Sequence, residues 1–288
     1  MFWTRRLAAV GGALVVAGTA TAATVPSPPA NATVYARQLG NDALALAVVP
    51  HRGGLDLRAT ILARQGNGVA GLRVSFELDG RAKTASPCGA GCYAAAFAAK
   101  APRALDVTVA GHTTAPWHIA LPAAWPPRAG GVLVARAAST WRALHSLTFD
   151  ERLMSGINIG VRSTWRAQAP DRIAYQVRGG WAGVVIGARR WDRAPGASTW
   201  QTSAQTRLRQ PIPPWGAVVD AHVLGPVTFS GRRATRVSFF DPVSSAWFTI
   251  VVDDANNRTL KLDMVANAHF MHDVFRAFDS TPPIVPPR

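Results

Sequence analysis

Cysteine is almost absent from this chain: Cys88 and Cys92, in SPCGAGCY, are the only two. With no third cysteine or close histidine, they cannot make a structural zinc site. Outside the cytoplasm their default state is a disulfide, and Gly89 and Gly91 let the sulfurs approach. A copper-binding or thiol-exchanging pair is the alternative. Lysine is equally scarce, with Lys83, Lys100 and Lys261 against 28 arginines. Acidic residues number 16 against 31 basic ones, so the formal net charge is +15. That excess is spread evenly, and no basic run exceeds Arg189-Arg190 or Arg232-Arg233. No basic tail or stripe exists to follow a phosphate backbone, so no specific nucleic-acid partner is expected. Loose attraction to anionic envelope polymers or lipids fits the even spread better. Beyond the first 23 residues no apolar run is long enough to span a membrane. Motifs for chemistry are missing too. There is no G-x-S-x-G elbow and no H-E-x-x-H helix. Asp150 and Glu151 are adjacent, so a strand turns them to opposite faces and they make a poor acid/base pair. The residues point away from an enzyme.

What is present is β-structure. The chain is 48% hydrophobic, with 25 Gly, 21 Pro and ten Trp, enough to bury a core and biased toward strands. Residues 1–23 read as a signal peptide: MFWTRR is a charged start, LAAVGGALVVAG an apolar stretch, and Ala20-Thr21-Ala22 a small-residue cleavage pattern. Retention as an anchor is the alternative. The expected product is a secreted, extracytoplasmic protein, in the periplasm or cell-wall space. Residues 24–32 form a Pro-rich lead-in. Residues 33–121 hold short strands separated by HRGG, RQGNG, DGRAK, SPCGAG and AGHTT, which suggests a small immunoglobulin-like sandwich. Leu55, Leu57, Ala59 and Ile61 share one face, as do Leu72, Val74, Phe76 and Leu78. Residues 122–131 (PAAWPPRAGG) read as a linker. Leu133, Ala137, Trp141 and Leu144 then recur at helical spacing and predict one helix over about 130–146. About ten antiparallel strands follow, from SLTFDERLM to HFMHDVFRAF, with PIPPWG at 211–216 as a loop or short helix over one mouth. Residues 132–279 thus suggest a large curved antiparallel sheet with one leading helix, and 280–288 a Pro-rich tail. The fold class is mainly β.

A leading helix followed by a long meander resembles the outer-membrane lipoprotein carrier (LolA-like) family. The phrases ERLMSG, RSTWRAQAPDRIAYQV, VVIGARRWDR, PPWG, RVSFFDPVSSAWFTIVVD and MVANAHFMHDVFRAF resemble, within it, the extracytoplasmic C-terminal region of actinobacterial copper-resistance membrane proteins of the CopC/CopD type. PCGAGCY resembles the YtkA/FixH-like sandwich that precedes that region. The resemblance spans about residues 40–278. It implies a half-barrel over 132–279 with a lipid-holding concave face, or a copper-handling role, and it departs from the copper-resistance proteins in having no multi-span membrane region.

Two candidate sites follow. The half-barrel carries Trp165, Trp181, Trp191, Trp215 and Trp247. One helix and one loop cannot fill a wide concave sheet, so these rings are candidates to line a cavity for a lipid or other apolar ligand. Each buried CH₂ of such a ligand contributes about 0.8 kcal/mol. The second cluster is His269, Met271 and His272 with Met264 upstream; imidazole and thioether suit copper. Alternation puts His269 and Met271 on one face, turns His272 to the other, and extends the Leu260/Leu262 core face to Met264. The leading expectation is a non-enzymatic binding protein of the bacterial envelope. Copper binding and an interaction module for an envelope membrane partner are the alternatives.

Overall fold

A computed structural model describes residues 26–112, 115–155 and 159–288. The expected signal peptide lies outside the described residues. The first half is a sandwich of two antiparallel sheets. One has five strands in the order β1 (Thr33–Leu39), β2 (Asp42–His51), β3 (Gly54–Leu62), β7 (Cys92–Ala98), β6 (Ser86–Gly89). The other has four, in the order β5 (Arg81–Thr84), β4 (Val74–Leu78), β8 (Ala104–Val109), β9 (Trp117–Ala120). Leu55, Leu57, Ala59 and Ile61 of β3 meet Val74, Phe76 and Leu78 of β4 in one core, as their alternation predicts. Cys88 and Cys92 form a disulfide with Cα atoms 5.0 Å apart, joining β6 to β7 across a turn where Gly91 takes φ 68°.

The second half is one eleven-stranded antiparallel sheet. Its order is β15 (Gln201–Ala204), β14 (Arg189–Arg193), β13 (Ala182–Ile186), β12 (Arg172–Val177), β11 (Ile159–Gln168), β10 (Ser146–Ser155), β20 (His269–Arg276), β19 (Thr259–Ala266), β18 (Ala246–Asp253), β17 (Arg232–Asp241), β16 (Val219–Phe229). The end strands β15 and β16 do not pair, so the sheet stays open. The segment WAGVVIGARRWDR forms two strands, because Gly187 at φ 59° turns the chain between β13 and β14. That extra turn makes eleven strands where about ten are expected.

One α-helix occurs among the described residues, α1 (Gly131–Ala143). It lies on what we term the inner face of the large sheet. Its buried residues are Val134, Ala137, Ala138 and Trp141, so the buried stripe is wider than the sequence spacing suggests and Leu133 sits at its margin. The indole N–H of Trp141 donates to Thr259 Oγ1 at 3.0 Å. PIPPWG forms no helix; it delivers Trp215 into the same core, edge-on to Phe239 (5.4 Å) and Phe248 (6.2 Å).

The sandwich rests on the opposite, outer face. Val34 and Ala36 of β1 and Ala43, Ala45 and Ala47 of β2 bury against Phe240, Trp247, Val265 and Phe270. Alanines on one surface leave room for the large rings of the other, so these residues pack closely. The C-terminal segment also docks on the outer face. Ile284 packs with Ala174 and Val184, and its backbone N–H donates to Gln168 Oε1 at 3.0 Å while its carbonyl accepts from Arg172 Nη1 at 2.7 Å.

Candidate functional site

Strand register brings four aromatic residues into one row across the inner face. Phe275 of β20 pairs with Phe149 of β10, Phe149 with Trp165 of β11, and Trp165 with Tyr175 of β12. Their rings touch in sequence. Phe275 and Phe149 are tilted at 5.4 Å, Phe149 and Trp165 stacked at 5.9 Å, and Trp165 and Tyr175 tilted at 4.7 Å. Trp141 of α1 stands edge-on to Phe275 at 5.0 Å and closes that end. Phe275 and Phe149 are buried, whereas Trp165 and Tyr175 are only half-buried. The row therefore runs from under the helix into an uncovered stretch of sheet. At its far end Gly183 pairs with Tyr175, and a Cβ there would run into the tyrosine ring, so the glycine makes room for that ring. Tyr175 Oη donates to Asp192 Oδ1 (3.2 Å) and accepts from Arg190 Nη2 (3.0 Å), and Arg190 Nε bonds Asp192 Oδ2 at 2.6 Å. Burial, the largest influence, pushes the Tyr175 phenol up to about 12, so it stays protonated.

A polar row lies beside the aromatic one. Ser163, Glu151 and Asp273 pair in turn across β11, β10 and β20. Glu151 Oε1 accepts from Ser163 Oγ at 3.0 Å and Trp165 Nε1 at 3.1 Å. Asp273 is 1% exposed, and its Oδ1 has no hydrogen-bond partner. Burial raises its carboxyl well above the usual range, and the negative charge of Glu151 adds to the rise.

The third row holds the soft donors. Leu153 pairs with Met271, and Met271 with Met264. His269, two residues before Met271 on the same face, sets Nε2 3.2 Å from Met271 Sδ. Burial pushes the His269 imidazole down to about 4, so it is neutral near pH 7. His272 points to the outer face, with Nδ1 2.7 Å from Asp263 Oδ1. The alternation read from the sequence thus separates His272 from the other three. Among the described residues, no group of three His, Cys, Asp or Glu side chains could hold a metal ion.

The five tryptophans do not share one cavity. Trp165 and Trp215 lie on the inner face. Trp191 follows the opposite alternation and packs on the outer face with Val184 and Ile284. Trp247 sits between Ala246 and Phe248, which both face inward, so its ring points into the sandwich interface, where its indole N–H donates to Pro26 O at 3.0 Å. Trp181 precedes β13, outside the ring row. Phe149, Tyr175, Phe275, Glu151 and Asp273 are the residues that sequence reasoning passed over. For all but Tyr175 the signal was the alternation of SLTFDERLM and HFMHDVF, each of which places one acid among the apolar residues of its inner face.

These features define a class of protein: an unclosed antiparallel sheet with one helix laid over an apolar inner face. Solved structures with a similar layout include the lipoprotein LppX of Mycobacterium tuberculosis, at 11% identity over 54% of this chain and 97% of that one, with a TM-score of 0.43. LprF from Mycobacterium bovis is similar at 9% identity over 54% and 95%, TM-score 0.39. A LolA superfamily protein from Nitrosomonas europaea is similar at 8% identity over 54% and 95%, TM-score 0.27. The sequence matches no family model and no curated protein.

Proposed function

We propose that this chain is a non-enzymatic binding protein of the bacterial envelope that holds a lipid or other apolar ligand against the inner face of the large sheet. One observation carries the reading: the aromatic row Phe275–Phe149–Trp165–Tyr175 is capped by α1 at one end and half-open at the other. A flat aliphatic chain laid on Trp165 and Tyr175 would finish burying them, and the Tyr175–Arg190–Asp192 cluster would bond a polar end. Buried CH₂ groups at about 0.8 kcal/mol each supply the driving force. Among the described residues no helix is long and apolar enough to cross a membrane.

Solvent extraction of the purified protein followed by mass spectrometry should recover a lipid. A fluorescent fatty-acid probe should bind, and Trp165→Ala should weaken it about ten- to hundred-fold, the loss expected when one large apolar contact of about 1.5–3 kcal/mol is removed. Neither lipid nor probe bound, or equal probe affinity in the variant, would sink the reading.

A second reading is favoured by one specific arrangement. Met264, Met271 and His269 offer two thioethers and a neutral imidazole on one face, a donor set that suits Cu(I). On this reading anaerobic Cu(I) titration gives one equivalent bound, and His269→Ala/Met271→Ala abolishes it. Equal stoichiometry in wild type and variant would eliminate the site. The third expectation, docking on a membrane partner, has no residue cluster of its own.

A further inference from the structure

We propose that the cleft between the sandwich and the outer face of the large sheet binds a phosphate-type oxyanion carried on a small organic group. The cleft encloses about 400 Å³ where β1 and β9 of the sandwich meet the outer residues of β10 and β17–β20. It is separate from the inner-face site, because β-alternation turns its sheet residues the opposite way.

Three observations converge on it. The first is charge. Arg37, Arg152, Arg236 and Lys261 line the cleft, and the carboxylate facing them from the sheet is Asp263. That acid is already engaged by Lys261 Nζ at 2.9 Å and by His272 Nδ1 at 2.7 Å. Three arginines are left to face the cavity in excess.

The second is a set of buried polar atoms without partners. Tyr35 is 3% exposed, yet its phenol oxygen has no hydrogen-bond partner. Gln38 Nε2 and Oε1, Arg236 Nε and Thr249 Oγ1 are buried and unpartnered as well, and all four residues line this cleft. Each unmet group costs about 1–3 kcal/mol, so such groups gather where a guest supplies the bonds. Four of the five atoms are donors or can donate. Burial also raises the Tyr35 phenol far above its ordinary range, which keeps it a donor. A guest that meets several converging donors beside excess positive charge is an anion rich in acceptor oxygens.

The third is the wall. Trp117 stands edge-on to Tyr35 at 6.5 Å, and the Arg37 guanidinium lies over the Trp117 ring at 5.5 Å. This flat aromatic surface has no use for a bare ion and suits an attached organic group. Arg37, His118 and Arg152 are exposed and mark the mouth. Because the donors come from both the sandwich and the sheet, the guest would also tie the two together.

The test uses the whole chain. Inorganic phosphate and glycerol 3-phosphate are titrated calorimetrically at constant ionic strength, and vesicles of phosphatidylcholine with or without phosphatidic acid are tested by flotation. Soluble glycerol 3-phosphate should bind and raise the melting temperature, more strongly than inorganic phosphate does. Arg236→Met should weaken binding about ten-fold or more, the loss of one charge-assisted hydrogen bond. Arg152→Ala, at the exposed mouth, should fold normally and weaken it several-fold, so it decides the matter if Arg236→Met is unstable. Binding to the soluble ester alone identifies a free phosphate ester, and binding only to phosphatidic acid vesicles identifies a headgroup. No binding or stabilisation by any probe would show the cleft to hold only water. Unchanged affinity in both variants would place the anion elsewhere on the basic surface. Either result overturns the proposal.

Discussion

Replacing Trp141 with alanine is expected to destabilise the protein by about 3–5 kcal/mol, the range for deleting a large buried aromatic. Trp141 is the residue through which α1 holds the sheet. It is 4% exposed, its ring meets Phe275 edge-on at 5.0 Å, and its N–H is bonded to Thr259. Alanine would leave a cavity against Phe275 and strip Thr259 of its donor. The neighbours cannot collapse into the gap, because Phe275 and Phe149 are fixed on paired strands. The helix is short, and its other buried residues, Val134, Ala137 and Ala138, are small. Its first turn carries no acidic residue and its N-cap, Gly130, makes no side-chain cap, so capping does little to hold the helix in place. Chemical denaturation should therefore show a large fall in midpoint, with stronger binding of a hydrophobic dye at low denaturant as the inner face opens. A loss under 1 kcal/mol would mean that the helix is held in some other way. If α1 also guards the ligand surface, the same variant releases bound lipid while still partly folded.

The second large effect concerns Asp273. Its folded-state carboxyl holds its proton more tightly than it does in the unfolded chain, because burial and then Glu151 oppose its ionisation. The folded state thus binds more protons than the unfolded state above the ordinary carboxylate range. Stability contributed by this group is present at low pH and is lost as pH rises from about 4 through the raised folded value. Asp273→Asn keeps the shape and removes the ionisation, and its amide can donate to Glu151 across the strand pair. The variant should match wild type near pH 4.5 and exceed it progressively toward pH 8. There the gain should be about 1–3 kcal/mol, the cost of a buried group left unsatisfied. Melting temperatures of both proteins across that pH range test the sign. A constant difference, or a variant that loses stability as pH rises, would overturn it. Conservation of a destabilising acid beneath the aromatic row would be a reason to look for a hydroxyl- or amine-bearing group on the ligand.

Much of this architecture was legible in the residues. Period-two runs such as LDLRATIL gave strands with the right faces, because a half-buried sheet can only be built that way. In TLKLDMVA the alternation holds for Leu262 and Met264, but a bulge opposite Val251 and Val252 turns Leu260 to the outer face with Ala234 and Val251, against the expected Leu260/Leu262 face. The period change at Val132 gave the helix. Adjacent residues such as Asp150 and Glu151, or Met271 and His272, were separated onto opposite faces by the same rule. The strands missed outright, β1, β5 and β6, are those where alternation is weakest. TVYARQL packs on both faces, toward the sandwich core through Tyr35 and toward the large sheet through Val34 and Ala36. RAKT and SPCG are exposed throughout.

The sites were harder to see, for a reason that lies in the length scale of the information. Alternation says which residues share a face of one strand and nothing about which strand lies beside it. By itself the sequence determined strands, one helix, the inward turn of Met264 and Met271, and a Cys pair close enough to join. Only the tertiary structure decided that Phe275, Phe149, Trp165 and Tyr175 stand in one register, although 126 positions separate Phe149 from Phe275. Only it decided that Trp247 serves the sandwich interface, and that Tyr35 and Arg236 line one cleft. Those relations are long-range pairings, fixed when β20 returns to β10 and when alanine surfaces admit large rings, and no local pattern encodes them.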